Sequence, residues 1–190
     1  MKIEMRQVGG GNVLAGAVNG KVALGRLLDL VTEEPEAAEL LFLDFRDVDV
    51  ATASYLRESV VAFRNVIRGG DSLYYPVIAN PNESIRDELL ELARARGDVF
   101  MTCKLGRGGK VEGTALVGDL EAKQRQTFDL VERHGETDAG ELMRRYGERE
   151  KTRHTTAWNN RLAALAALGL IVEQREGRLK RYRPLFAGVE

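Results

Sequence analysis

The six residues Leu40-Leu41-Phe42-Leu43-Asp44-Phe45 constrain this chain more than any others. The run is apolar at almost every position, so it does not alternate between an inner and an outer face. Such a pattern fits a strand covered on both sides, the usual state of strands in a parallel sheet. Parallel strands need crossover connections, and those are commonly helices. The flanking sequence supplies them. Lys21 to Thr32 carries apolar residues at 24, 27, 28 and 31, a helical period ended by Pro35. Ala53 to Ile67 reads as a second helix closed by Gly69-Gly70. Ser84 to Arg96 is a third, with Ile85, Leu89 and Leu92 on one face and Gly97 as its stop. Between them lie β-type runs at Ile3–Val8, Val13–Val18, Leu73–Ile78, Val99–Cys103 and Val111–Val117. Pro76 demands an edge strand or a bulge for its run. Gly106 to Lys110 is either a linker or a hairpin turn. Strand and helix in repetition predict an α/β layer with a mostly parallel sheet.

The pattern changes near Gly118, which sets expected domains at 1–118 and 119–190. The second part reads helix, helix, helix, hairpin. Glu121 to Arg133 is the first helix, and Thr137 is expected to cap the second, Asp138 to Tyr146, which Gly147 ends. The third starts at Thr152 or Thr155 and runs to Leu168, with Gly169 behind it. Leu170–Gln174 and Leu179–Arg183 pair around Arg175-Glu176-Gly177-Arg178.

Composition excludes several classes. Of 190 residues, 44% are hydrophobic and 30% charged, enough for a core and too mixed for disorder. No apolar run reaches the roughly 20 residues of a membrane span, and MKIEMRQVGGG lacks a secretory signal's apolar stretch. A cytoplasmic protein is expected. One cysteine, Cys103, forbids an internal disulfide, and with only His134 and His154 beside it no metal set is expected. Cys103 itself reads as a buried strand thiol. Asp44, Asp47 and Asp49 could hold a hydrated Mg²⁺ but read better as turn formers and helix-start acids. The chain has no Gly-x-Ser-x-Gly elbow, and Gly106 to Lys110 lacks the spacing of a phosphate loop. No catalytic residue, metal or cofactor is predicted, so the chain is not expected to be an enzyme.

The net charge of -1 conceals an uneven distribution. Residues 1–118 carry 14 basic and 17 acidic side chains, residues 119–190 carry 14 and 12. From Arg144 to Arg183 there are eleven basic residues against four acidic ones, a local excess of +7. At 100° per residue, Trp158, Leu162, Leu165 and Gly169 share the inner face of the third helix. Thr156, Asn160, Ala163 and Ala167 lie opposite. Asn can pair bidentately with adenine in the major groove, and Thr can bond base edges or phosphates. The predicted contacts to duplex DNA are Arg153, Thr155, Thr156, Asn159, Asn160, Arg161, Arg175, Arg178, Lys180 and Arg181.

Two resemblances accompany this reading. The stretch Thr137-Asp-Ala-Gly-Glu-Leu142, then Thr155-Thr-Ala-Trp-Asn-Asn-Arg-Leu162, Leu165-Ala-Ala-Leu-Gly-Leu-Ile171 and Glu173 to Tyr182 resembles the winged helix-turn-helix family. The resemblance implies an α+β domain whose third helix enters the major groove and whose hairpin is the wing. Trp158 stands where a smaller aliphatic residue is commoner, on the face expected to pack inward. Earlier, Leu41-Phe-Leu-Asp-Phe-Arg-Asp-Val48 followed by Thr52-Ala-Ser54-Tyr-Leu56 resembles the STAS-like family, relatives of the anti-sigma-factor antagonists. That implies a mixed sheet with helices, a partner such as a kinase or anti-sigma-like protein, and Thr52 or Ser54 as a phosphorylation switch. Ala51-Thr-Ala-Ser replaces the family's usual Asp-Ser-Ser-Gly. The function expected is a homodimeric DNA-binding transcriptional regulator whose first domain senses, dimerises or recruits. The alternative is a protein-interaction module of a partner-switching pathway that uses the winged helix for docking.

Overall fold

The computed structural model describes residues 1–150, 154–177 and 179–187. The chain divides into two compact units, Met1–Asp119 and the residues from Leu120 onward.

The first unit runs β1 (Lys2–Glu4), α1 (Met5–Gly9), β2 (Val13–Leu14), α2 (Ala17–Asp29), β3 (Glu39–Asp44), β4 (Val50–Ala51), α3 (Ala53–Leu56), a π-helical turn (Arg57–Val61), α4 (Ala62–Gly69), β5 (Tyr74–Ala79), α5 (Glu83–Arg96), β6 (Phe100–Leu105) and β7 (Val111–Val117). Its main sheet has the order β1-β3-β5-β6-β7, parallel except for the antiparallel edge strand β7. Gly106 to Lys110 is therefore a hairpin turn, closed by Gly106 N–H donating to the Lys110 carbonyl at 2.7 Å. Every residue of β5 is buried, as is every residue of β6 except Lys104. Ile3, Leu41, Leu43, Ile78, Phe100 and Val117 of the sheet share one core with Leu27, Tyr55, Phe63 and Leu89 of the helices.

Three expectations need correction here. Ile3–Val8 is not one strand. Met5 and Val8, three residues apart, are both buried on a single helical turn. Gly10, with φ 78°, then closes that turn by donating toward the carbonyls of Arg6 and Gln7. Val13–Val18 is likewise a two-residue strand. Gly16, with φ 86°, breaks the extended chain, and α2 starts four residues earlier than expected. Pro76 sits neither at an edge nor in a bulge, since β5 lies between β3 and β6. Its position is tolerated by ladder phase. Glu39 donates to Leu73 and Phe45 to Ala79, so odd residues of β5 face β3. Pro76 faces β6, and pairing with β6 begins only at Ile78. No ladder bond is lost.

The predicted helix from Ala53 forms, but a π-helical turn interrupts it, with Ser59 Oγ donating to the Tyr55 carbonyl at 2.7 Å. Opposite it, α2 approaches so closely that a Cβ on Gly20 would meet the Tyr55 carbonyl oxygen at 2.7 Å.

The second unit runs α6 (Ala122–His134), α7 (Ala139–Tyr146), α8 (Thr156–Ala167), β8 (Ile171–Glu176) and β9 (Leu179–Pro184). α8 packs on α6, α7 and β8. Thr137 does not cap α7. Asp138 does, its carboxylate accepting from Glu141 N–H at 2.8 Å. Thr137 instead forms a two-way backbone bridge to Tyr182 in β9, at 2.9 and 2.8 Å, adding a third segment to the hairpin. Of the two starts expected for the third helix, Thr152 lies outside the described residues. Gly147 ends α7 as expected, and a Cβ there would meet the Met143 carbonyl oxygen at 2.5 Å. Among the described residues, no helix is long and apolar enough to cross a membrane.

Candidate nucleic-acid interface

The two sides of α8 differ sharply. Trp158, Leu162, Leu165 and Ala166 are buried, the first three completely. Thr155, Thr156, Asn159, Asn160, Ala163 and Ala167 are exposed. The side facing solvent therefore offers hydroxyls and carboxamides over its first two turns and bare methyl groups beyond them. No charged or large apolar side chain interrupts these six positions. A duplex can approach such a surface closely, with donors and acceptors held at one end.

Arg161 does not belong to that surface. Its side chain is only 12% exposed and lies over the Trp158 ring, 4.8 Å from the centroid. One Nη stands 3.6 Å from Glu150, itself buried to a similar degree. The reason is position. Arg161 follows Trp158 by three residues, so it lies one turn along on the same flank. Burial in this stacked pair leaves its Nη1 and the Trp158 Nε1 without a hydrogen-bond partner among the described residues. Arg153 and Arg178 lie outside the described residues.

The hairpin cations are exposed but engaged. Arg175 and Lys180 face each other across the ladder, and Glu173 pairs with Tyr182 one step away on the same face. All three donors converge on Glu173. Arg175 Nε lies 3.0 Å from its Oε1, Lys180 Nζ 2.9 Å from the same oxygen, and Tyr182 Oη 3.2 Å from Oε2. Burial pushes the Glu173 carboxyl up. Its hydrogen bonds from Lys180 and Arg175, the Lys180 charge and the Tyr182 hydroxyl outweigh that and hold it below the usual carboxylate value. On the opposite face Arg181 pairs with Glu136 at 2.9 Å. Sequence reasoning found the cations and missed the acids that hold them. The signal lay in cross-strand register, which becomes readable only once the turn is placed.

In the first unit, Thr52 is the N-cap of α3. Its Oγ1 accepts from Tyr55 N–H at 3.4 Å and Gly16 N–H at 3.3 Å, and lies 3.1 Å from Ser54 Oγ. The Ala53 N–H is taken by the Glu88 carboxylate at 2.7 Å. The neighbouring mini-sheet pairs Val13 with Val50, both exposed, and Val18 and Val22 of α2 are exposed as well. The acidic residues after β3 do not act together. Asp44 is buried and accepts from Asn80 Nδ2 at 2.8 Å and Arg46 N–H at 3.0 Å, whereas Asp49 bonds Asn12. Among the described residues no group of three or more His, Cys, Asp or Glu side chains is placed to hold a metal ion. Cys103 is buried, and burial with the nearby Asp44 charge pushes its thiol to about 12. Comparisons of the chain with protein-family models, curated proteins and solved structures find no match.

Proposed function

We propose that this chain is a cytoplasmic DNA-binding transcriptional regulator. In this reading the second unit is a winged helix-turn-helix that carries α8 into the major groove, and the β8–β9 hairpin is its wing. The observation that carries the reading is the exposed face of α8. Thr155, Thr156, Asn159 and Asn160 stand together on the side opposite Trp158, and the rest of that side is alanine. The helix, bridge, helix, helix, hairpin order supports it, as does the basic excess between Arg144 and Arg183. Arg175, Lys180 and Arg181 contact phosphates, which supply affinity without sequence information, and Asn159 and Asn160 read bases. Arg161 holds the helix from behind. The first unit is a STAS-like domain that senses, recruits or pairs two copies, so that two half-sites are read together.

The test is duplex binding as a function of salt. The affinity of the wild type falls steeply between 50 and 200 mM salt. Arg175→Ala with Lys180→Ala weakens binding to every duplex and lowers the log–log salt slope by about one per lost contact. Asn160→Ala instead costs about 1–3 kcal/mol at the base pair it reads and leaves other positions alone. A chain that ignores duplex DNA at 50 mM salt sinks the reading.

One arrangement favours a second role for the first unit. Thr52 and Ser54 lie beside a mini-sheet whose Val13 and Val50 are exposed. This suits a partner-switching surface, engaged by a kinase or anti-sigma-like protein. Ser54→Asp would place charge near Glu88 and abolish such a complex; co-purification that survives the substitution removes this role.

A further inference from the structure

The wing's cations are held by an acid that does not have to be there. Glu173 occupies a strand position opposite Tyr182, where Thr or Gln would serve the ladder equally well. Its carboxylate is only 15% exposed, whereas Arg175 and Lys180 are 58% and 45% exposed. The acid is thus fixed by its surroundings, and the two long side chains fold back to it across the ladder. Tyr182, completely buried, anchors the other oxygen. One carboxylate meets both cations, at 3.0 and 2.9 Å, so part of their charge is neutralised before any ligand arrives. On the other face Arg181 pairs with Glu136, an acid more exposed than its cation.

We propose that Glu173 is a specificity-determining residue of the wing: it restrains Arg175 and Lys180 and so limits sequence-independent attraction to DNA. The inference rests on the DNA-binding reading above. Phosphate contacts supply nearly all non-specific affinity and only part of specific affinity. A carboxylate that competes with phosphate for the wing cations therefore weakens random binding more than binding at a cognate site, where α8 contributes base contacts as well. Regulators search among a vast excess of wrong sites, so the ratio between the two affinities matters more than either alone.

The experiment measures fluorescence anisotropy of two labelled duplexes between 50 and 200 mM salt. One has random sequence, and the other is enriched from a random pool by the wild-type protein. Glu173→Gln keeps an acceptor for Tyr182 and Arg175 while removing the charge, and Glu173→Thr provides a second variant suited to a strand. Both are expected to bind the random duplex on the order of tenfold more tightly, with a salt slope steeper by about one, and to gain less on the enriched duplex. In a background of Arg175→Ala and Lys180→Ala the gain vanishes. Glu121→Gln, at the start of α6, controls for net charge and changes binding little. If the gain persists without the two cations, or is equal on both duplexes, Glu173 acts only through net charge and the proposal is overturned. A wild type that binds while both variants bind no better overturns the proposal alone. A wild type that ignores both duplexes removes the DNA-binding reading and this inference together.

Discussion

Both units stack guanidinium groups on aromatic rings, and Arg64 of the first and Arg161 of the second, each ion-paired to an acid, are treated differently. In the first, Arg64 lies 4.9 Å from the Phe100 centroid, bonds Asp98 at 2.6 Å, and donates to the Val99 carbonyl and to Asn65. Both members of the pair are about 10% exposed. In the second, Arg161 over Trp158 reaches Glu150 only at 3.6 Å, and its Nη1 and the Trp158 Nε1 have no hydrogen-bond partner among the described residues. The first is a closed tie between α4 and the strand that follows α5. The second is a loose one, at the root of the helix that presents Asn159 and Asn160. A charge in the first unit is used for cohesion. In the second, the tie under the helix is looser, and Arg175, Lys180 and Arg181 stay near the surface in pairs that can be exchanged.

The sharpest way to break this contrast is to remove the acids. Asp98→Ala strands a buried guanidinium and should cost about 3–5 kcal/mol, read by hydrogen exchange over Met1–Asp119. Gly20→Ala, which forces α2 off the Tyr55 carbonyl, should cost about 1–3 kcal/mol in the same unit. Glu150→Ala should cost less, about 1–2 kcal/mol, since Arg161 approaches it only at 3.6 Å, beyond hydrogen-bond distance. Trp158 is the only tryptophan, so urea unfolding followed by its fluorescence reports that variant. A Glu150→Ala loss as large as that of Asp98→Ala would show the two ties to be equivalent. Next, Cys103 should resist alkylation at pH 8 in the folded protein and react once unfolded, because its thiol titrates near 12. The smallest effect concerns acid. Glu173 has a folded value below its ordinary 4.5, so its contribution is present above that pH and fades as pH falls through the lower folded value. Glu173→Gln should flatten the acid limb of the fluorescence-monitored unfolding profile slightly.

Much of the α/β layer was legible because burial on both faces leaves a simple mark. Leu40–Phe45 and Val99–Cys103 read as strands for that reason, and α5 read as a helix because Ile85, Leu89 and Leu92 recur on one side. The failures came where short elements share too few residues to show a period. Met5 and Val8 supply one helical repeat between a strand and a glycine turn, which no window can separate from alternation. Pro76 was misjudged because ladder phase is a property of the pair, not of one strand. Of the candidate interface, the helix face was visible from spacing alone. Arg161 was not, since a cation near an aromatic residue on a helix flank looks the same whether it folds inward or reaches out. Thr137 looked like a cap because a hydroxyl before an acidic turn usually is one, and the strand it meets lies 45 residues away.

That distant bridge sets how the second unit can come together. Thr137 and Tyr182 enclose α7, α8 and the hairpin within a single loop, so the last strand must arrive before the first connection is secured. Local helix formation is fast, whereas closing a loop of this length carries an entropic barrier that short-range contacts do not offset. Assembly of the helices should therefore wait on β9, and a nascent chain cut before Leu179 would hold its helices without a fixed arrangement. The hairpin completes the scaffold of this unit, and α8 gains its orientation only once β9 has been made.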